Sequence, residues 1–405
     1  MLKEFYKRWP FKYNGILPGS SFASLQINKL INFLLQITVV KELIELTEEF
    51  AKRIVEIENQ RKNIGEILRE LNEKIKINTD AEVLEEKIII PVKKEDIPEI
   101  KVAGVDGGLV KHSLHGIDIM LIRAIGVLFH YKNDKLAAAE YHPSTIPTPI
   151  PYIIFDPFSD IEVEMNSNME RQIAEVNTAR EAIEKFKPDI IFLNGSVVPH
   201  YVEKPAEHSL LYPPYRRMVE AYLKLFESAR KNKTILAGVI EDSRGTRFCE
   251  IANQKILSES NKPELKILLD RTKDTNLLTY ALNLSERSFV FKYSANPEDH
   301  PMLREFGQEL ANLVFSFYLK TAEFDRPIRI DFLSTEKTVD IANKISSLLI
   351  ATAGHSSYGM PPVLIEADQR AKLSEKDLET FYLDLVNKAG NLPVLFNLRR
   401  DQRPF

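Results

Sequence analysis

The sequence predicts an α/β domain, in which a mixed sheet is flanked by helices, preceded by an N-terminal helical arm. Two patterns indicate this fold. Candidate strands come in two groups with helices between them, whereas the first 95 residues carry apolar side chains at helical spacing. Hydrophobic residues make up 44% and charged residues 28% of the 405. This balance is ordinary for globular proteins, so wholesale disorder is excluded.

The arm is predicted to cover residues 1–95. From Phe50 to Ile75 the apolar residues recur at alternating steps of four and three, with Arg61 at the one polar position of the series. That period is typical of a helix that lays a narrow stripe on a partner. Leu25–Leu46 is predicted to be a preceding, more apolar helix. An intramolecular helical hairpin and a dimer-forming arm both explain this pattern.

Residues 96–405 are predicted to form the α/β domain, which is entered through the charged connector Pro91–Pro98. Helices are indicated by apolar residues every three or four positions, and buried strands by short apolar runs rich in β-branched residues. The predicted elements are strands Ile100–Val105, Gly116–Tyr131 and Leu136–His142, helix Met169–Phe186, strand Asp189–Leu193, helix Pro213–Lys231, strand Thr234–Ile240, helix Lys266–Leu284, strands Ser288–Tyr293, Phe315–Leu319 and Ile328–Phe332, and helices Lys337–Thr352 and Ala367–Val386.

Composition and missing motifs exclude several kinds of site. The single cysteine, Cys249, rules out an intramolecular disulfide and a multi-cysteine zinc or iron–sulfur site. No Gly-x-x-x-x-Gly-Lys-Ser/Thr or His-Glu-x-x-His motif occurs, and no Gly-x-Gly-x-x-Gly follows a strand, so nucleotide and zinc-protease sites are unsupported. With 54 basic and 58 acidic residues the net charge is −4. Contact with nucleic acid therefore has to come from a local basic groove.

No targeting or membrane segment is predicted. The N-terminus, Met1–Phe11, is basic and aromatic but lacks the apolar core of a signal peptide. The longest apolar stretches, Leu30–Val40 and Ile117–Phe129, are interrupted by polar residues and fall short of the roughly 20 residues of a membrane span. We therefore expect a cytoplasmic protein without membrane contact.

Oxygen-bearing side chains stand at the ends of two predicted strands. Asp106 closes the first core strand and Asn194 closes the fourth, and each is followed by glycine. A carboxylate at a sheet edge suits a hard divalent cation, whereas an amide oxygen is a weaker ligand. The alternative for both residues is an ordinary turn.

Glu175 is the glutamate expected to point over the sheet, because it borders the apolar stripe of the Met169–Phe186 helix. Glu162 and Glu164, just before that helix, are rival carboxylates, and a solvated helix flank is the alternative explanation. Glu170, on the same helix, is predicted to lie on the outer face.

A further candidate group lies near the C-terminus. Asp368 is predicted to occupy the first turn of a helix, where the helix dipole would also explain it. Tyr358, Arg370 and Lys372 add an aromatic ring and two cations, a combination suited to a phosphate backbone. An exposed helix start is the alternative.

With these residues in hand, the chain resembles the NurA nuclease family, whose fold is similar to ribonuclease H. The resemblance covers roughly residue 100 to the C-terminus. Because of the fold of that family, the resemblance implies a ribonuclease H-like mixed sheet in this region. The ordered segments that carry it are Val105–Gly108, Ile190–Ser196, Gly238-Val239, Leu269–Arg271, Glu286–Ser288, Pro327–Ile330 and Tyr358–Lys372.

In that family, acidic residues from a first strand, a helix and a later strand end gather around two manganese or magnesium ions. The resemblance maps them onto Asp106, Glu175 and Asn194, the last of which replaces a usual Asp. A fourth position, where the family often has His, is Asp368. Asn194 removes one negative charge from a cluster that holds about four positive charges. A natural weak or inactive member, an engineered inactive variant, and compensation by Asp368 all stay open.

The resemblance implies a metal-dependent DNA nuclease, with Tyr358 as a further catalytic residue and with Tyr358, Arg370 and Lys372 binding DNA. It also implies single-strand endonuclease and 5′-to-3′ exonuclease activity in DNA end resection during double-strand break repair. A homodimer and a HerA-like hexameric translocase, an ATPase, are the implied partners. The alternative is a catalytically weak or inactive DNA-binding or scaffold subunit.

Overall fold

The computed structural model describes residues 20–155, 158–199, 204–257, 263–390 and 392–399. The N-terminal segment Met1–Phe11 lies outside them. The chain divides into two compact units between Gln60 and Arg61. Among the described residues, no helix combines the length and the apolar character needed to cross a membrane.

The first helix, α1 (Ser20–Lys74), is continuous over 55 residues. A hairpin would need a turn between Leu46 and Phe50, and the described helix has none there. Further along, Ile64 and Leu68 are completely buried in an apolar cluster of the larger unit, whereas Phe50 is exposed. The predicted stripe is therefore buried at its C-terminal end. A dimer-forming arm and the boundary at 95/96 stay predictions.

Eleven strands make one sheet in the described part of the chain. Their spatial order is β1-β8-β10-β11-β7-β6-β2-β3-β4, with β5 paired to β3 and β9 paired to β10. The strands are β1 (Ile89–Pro91), β2 (Ile100–Ser113), β3 (Ile117–Lys132), β4 (Lys135–His142), β5 (Ile150–Phe155), β6 (Ile190–Asn194), β7 (Ile235–Ile240), β8 (Glu286–Ser288), β9 (Phe291–Lys292), β10 (Val314–Leu319) and β11 (Ile328–Leu333).

Helices cover the sheet. After α1 they are α2 (Asp160–Phe186), α3 (Tyr212–Asn232), α4 (Arg247–Ile251), α5 (Pro263–Leu269), α6 (Asp274–Ala281), α7 (Gln308–Ala311), α8 (Thr338–Thr352), α9 (Pro362–Ala371) and α10 (Glu375–Ala389), with a π-helical turn at Ala252–Ile256 and 3₁₀ turns at Leu303–Phe306 and Pro393–Leu395. Alternate residues of the strands face opposite sides, so α2 and α3 pack on one face of the sheet, and α8 and α9 on the other.

The sheet is mixed. Strands β2, β3 and β4 form an antiparallel meander. On the other side of β2, β6 and then β7 are added in parallel, each reached through a helix. Strands β11 and β10 continue the sheet in antiparallel pairing. The predicted α/β class, a mixed sheet flanked by helices together with an N-terminal helix, is confirmed.

Several predicted element bounds were wrong. Strand β2 continues to Ser113, because it stays paired with β3 over its whole length. Gly107-Gly108 therefore lies inside the strand and does not end it. The predicted helix Ala367–Val386 is two helices, α9 and α10, because Ser374 caps a new start. Lys266–Leu284 is likewise divided into α5 and α6.

Candidate active site

Two parallel strands bring Asp106 and Asn194 together. Val105 of β2 pairs with Leu193 of β6, so the residues that follow them are neighbours on the same face of the sheet. Asp106 is only 6% exposed. The backbone N–H of Gly107 donates to its Oδ1 at 2.7 Å. The register of the sheet thus fixes a desolvated carboxylate beside an amide.

The environment of Asp106 opposes its negative charge. Burial raises the pKa of this carboxyl group, and so does the nearby charge of Asp368. Hydrogen bonding from the Asn194 amide and from Gly107, together with the Arg171 guanidinium, acts in the opposite direction and lowers the pKa. The net effect is a raised pKa. The neighbouring groups therefore do not fully compensate the negative charge of the buried Asp106 carboxylate.

Glu175 approaches β2 from helix α2. Because Gly107 has no side chain, the carboxylate passes close to the strand: a Cβ at Gly107 would lie 3.3 Å from Glu175 Oε2. Burial raises the pKa of Glu175 to about 8, and the nearby Asp106 adds to the increase. Arg171, one turn earlier on α2, donates from Nη1 to Glu175 Oε2 at 2.9 Å and lowers the pKa.

Helix α9 supplies Asp368 from the other face of the sheet. The helix begins at Pro362, so Asp368 lies in its second turn and not in the predicted first turn. Proximity to the helix N-terminus therefore does not explain this residue. Gly108 allows α9 to approach β2 closely, since a Cβ there would lie 2.1 Å from the carbonyl oxygen of Ala371.

Tyr358 stands in the loop before α9. Burial raises the pKa of its phenol to about 12, and the charges of Glu241 and Asp368 add to the increase. Glu241 follows the end of β7; burial raises the pKa of this carboxyl group, while its hydrogen bond with Tyr358 acts in the opposite direction. The backbone N–H of Gly359 donates to Asp325 Oδ2 at 2.7 Å, which fixes the loop.

A buried polar network fixes the turn after β6. Ser196 Oγ donates to Asp331 Oδ2 at 2.7 Å, and Ser316 Oγ donates to Asp331 Oδ1 at 2.6 Å. The guanidinium of Arg329 donates from Nε to the same Oδ1 at 2.7 Å. Both carboxylate oxygens of Asp331 thus accept hydrogen bonds. Through Ser196, Asp331 holds the turn that follows Asn194.

The two predicted DNA-binding cations differ in their surroundings. Arg370 donates from Nε to Glu366 Oε1 at 2.6 Å and from Nη1 to the carbonyl oxygen of Thr145 at 3.2 Å. Its guanidinium also lies 4.6 Å from the centre of the Tyr141 ring. Lys372, at the end of α9, is exposed. Arg370 is thus held in contacts within the chain, and DNA binding by either residue stays a prediction.

The rival glutamates have other roles. Glu162 forms a capping box with Ser159 at the start of α2, and Glu164 pairs with Lys111. Glu170 is buried and pairs with Arg217 of α3, so its predicted place on the outer face was wrong. The reason is that α3 covers that side of α2.

The NurA domain family matches residues 100–373. The match spans more than half of the chain. This chain belongs to the NurA domain family. The sequence resemblance is thereby confirmed, although the matched region ends at residue 373, before α10.

Solved structures with similar folds include the NurA nuclease from Sulfolobus solfataricus, which is 17% identical and has a TM-score of 0.49 over 84% of this chain and 96% of that chain. A NurA bound to dAMP and manganese is 11% identical, with a TM-score of 0.49 over 86% of this chain and 98% of that chain. An endonuclease V from Bacillus subtilis is 10% identical, with a TM-score of 0.31 over 79% and 92%. No curated protein matches the chain.

The donors of this NurA domain suit a hard divalent cation. Asp106 of β2 and Asp368 of α9 are carboxylates on the same face of the sheet, the charge of Asp368 raises the pKa of Asp106, and Asn194 adds an amide oxygen. A bound cation would supply the charge compensation that buried Asp106 lacks. In the described ranges, however, no three His, Cys, Asp or Glu side chains already lie together as a metal-binding group.

Two charged residues beside the candidate site, Arg171 and Glu241, were not predicted from the sequence. Arg171 is four positions before Glu175, a spacing that places both residues on one face of a helix and could have revealed the pair. Glu241 directly follows a predicted strand, as Asp106 and Asn194 do, and the same criterion could have found it.

The raised pKa of Glu175 predicts a pH-dependent stability for the metal-free NurA domain. The folded chain keeps a proton up to a pH of about 8, whereas a carboxyl group at its ordinary pKa of 4.5 releases it earlier. The free energy of unfolding should therefore fall with rising pH across this window, by at most about 1.4 kcal/mol per pH unit from this group. The measurement is chemical denaturation in EDTA from pH 5 to pH 9. Relative to wild type, Glu175→Gln should become progressively more stable as the pH rises; a constant difference contradicts the prediction.

Proposed function

We propose that this NurA domain is a divalent-metal-dependent deoxyribonuclease that hydrolyses phosphodiester bonds. The observation that carries the proposal is the desolvated carboxylate of Asp106, whose charge is incompletely compensated beside Asn194. Asp368 and Glu175 approach it from two different helices. Burying an incompletely compensated charge costs stability, so folding alone does not explain it. Groups of this kind cluster at functional sites.

In this proposal Asp106, Asp368 and the amide oxygen of Asn194 hold Mn²⁺ or Mg²⁺, with Glu175 as a further ligand, and a pair of ions stays a prediction. A divalent cation held there would lower the pKa of a water molecule and stabilise the leaving oxygen. Tyr358 lies at the open side of the site, where its ring can orient a DNA strand.

A weak or inactive DNA-binding subunit is the second candidate, and two observations favour it. Asn194 provides no negative charge, and Glu175 is already paired with Arg171. Both features reduce the negative charge that is available to bind metal ions. The two candidates differ in one measurable property, which is metal-dependent cleavage.

Asn194→Asp separates these candidates. Restoring a carboxylate beside Asp106 adds one negative charge at the strand end, so we expect Mn²⁺ to bind more tightly by about tenfold, the effect of 1.4 kcal/mol. The measurement is cleavage of end-labelled single-stranded DNA as Mn²⁺ is titrated, with EDTA as the blank. The nuclease proposal expects the wild type to cut and the variant to reach half-maximal activity at lower Mn²⁺.

Cleavage by the variant alone would support the weak or inactive subunit. If neither protein cuts, the nuclease proposal is wrong. If the restored carboxylate changes neither activity nor metal affinity, Asn194 is not part of the site.

The finer assignments rest on the family resemblance. We propose single-strand endonuclease and 5′-to-3′ exonuclease activity in DNA end resection and repair, a HerA-like hexameric translocase as partner, and a homodimer. Exposed apolar residues of α1, among them Phe50 and Ile54, give the dimer a candidate surface. Sedimentation of the chain with and without such a translocase tests both partners; a monomer that forms no complex would contradict them.

A further inference from the structure

Arg171 is the one cation that the described contacts bring to both Asp106 and Glu175. Its Nη1 lies 2.9 Å from Glu175 Oε2 and 3.3 Å from the carbonyl oxygen of Gly107, the residue after Asp106. The guanidinium therefore bridges helix α2 and strand β2 beside the candidate metal ligands. Its charge acts on Asp106 as well as on Glu175.

The position of this pair distinguishes it from an ordinary helix salt bridge. On the same helix, Arg180 pairs with Glu184 at the same spacing and at 3.0 Å. Glu184 is 50% exposed, however, whereas the side chain of Glu175 is 8% exposed. Water screens the exposed pair, so its charges matter little to their surroundings. The buried carboxylate of Glu175 instead needs a nearby positive charge if it is to ionise.

The charges around Asp106 match one divalent cation better than two. A bound cation displaces the carboxyl protons. With all three groups ionised, Asp106, Glu175 and Asp368 carry three negative charges, and Asn194 carries none. The positive charge of Arg171 compensates one of these three negative charges. A guanidinium stays protonated at any pH that a protein tolerates, so this compensation is permanent. Two net negative charges remain, which is the charge that one Mn²⁺ or Mg²⁺ neutralises.

We propose that Arg171 supplies a fixed positive charge in place of a second metal ion, so that the site binds a single divalent cation. The proposal rests on the metal-dependent function proposed above and replaces its expected pair of ions. In this arrangement Asp106 and Asp368 hold the ion. Glu175 stays with Arg171, on the side of β2 that faces helix α2.

The test counts Mn²⁺ bound to the full chain without DNA, by calorimetric titration and by the electron paramagnetic resonance signal of free Mn²⁺. We expect one ion per wild-type chain. Arg171→Gln leaves the charge of Glu175 uncompensated, so we expect it to bind a second ion. Arg171→Lys keeps the positive charge and should bind one. The matched control, Arg180→Gln, removes the exposed pair of the same helix and should also bind one.

Each outcome has a definite consequence. Two ions in the wild type overturn the role of Arg171 and leave the nuclease proposal intact, whereas no ion in the wild type overturns both. One ion in both the wild type and Arg171→Gln shows that Arg171 does not set the number of ions. If Arg171→Gln fails to fold, as judged by circular dichroism, the wild-type and Arg171→Lys counts still decide: either count at two overturns the proposal, and one ion in each supports it.

Discussion

Replacing Asp106 with alanine is expected to lower Mn²⁺-dependent cleavage of single-stranded DNA by at least about 100-fold, the upper end of the loss seen for groups that only support a metal ligand. The fold should survive, because the carboxylate is buried and its charge is only partly compensated. We expect the free energy of unfolding to change by no more than about 1 kcal/mol, the scale of one lost hydrogen bond. Initial cleavage rates and denaturation curves measure the two effects.

Two further variants, Asp106→Asn and Asp189→Ala, test whether a loss of activity is due to the charge of Asp106. The first keeps the shape of the side chain and should lose the same activity, which assigns the loss to charge. The second removes a carboxylate from the opposite end of the same strands, where Asp189 Oδ2 accepts a hydrogen bond from the backbone N–H of Lys101 at 2.9 Å. It should cut like the wild type. Unchanged activity in Asp106→Ala would remove this residue from the mechanism.

The arrangement of strands and helices was largely predictable, because burial leaves a periodic pattern in the sequence. The long apolar runs of β3 and β6 and the stripe of α2 identified these elements. The extent of β2 was not predictable, since Gly107-Gly108 is locally indistinguishable from a turn. The two glycines are needed instead for close approach by α2 and α9, and the sequence around them does not record such contacts.

The candidate site was predictable to a similar degree. The apparent strand ends identified Asp106 and Asn194 as candidates, and the family resemblance implied that they meet. The parallel pairing of β2 with β6 makes them neighbours, although β2 continues beyond Asp106. The environment of Arg370 was not predictable. Its partner Tyr141 is more than two hundred residues away in the chain. The local sequence therefore does not reveal that the Arg370 guanidinium is held by contacts within the chain.

The boundary predicted at 95/96 rested on the change from helical to strand patterning. In the structure, β1 pairs with β8 and the segment before it packs on the same unit, so residues on both sides of the predicted boundary share one core. Short strands of three residues leave no periodic signal. The change in pattern marks a change in secondary structure, and a domain boundary at 95/96 stays a prediction.

Glu85→Ala is expected to lower the free energy of unfolding of the α/β unit by about 3–5 kcal/mol. Arg287 is completely buried, and both Nη atoms lie 2.7 Å from the Glu85 carboxylate. Asn343 accepts a further bond at 2.6 Å. Removing Glu85 would leave a buried positive charge without a carboxylate, which a fold tolerates poorly. Urea denaturation followed by circular dichroism measures the loss.

Glu86→Ala is the matched control, because the next residue in the chain forms an exposed ion pair with Lys76 at 2.5 Å. Water screens that pair, so its loss should change the free energy of unfolding by less than about 1 kcal/mol. A large loss in Glu85→Ala alone would show that the α/β core extends well before residue 95. If both variants unfold like the wild type, residues 1–95 are separable from the core, as the sequence pattern predicts.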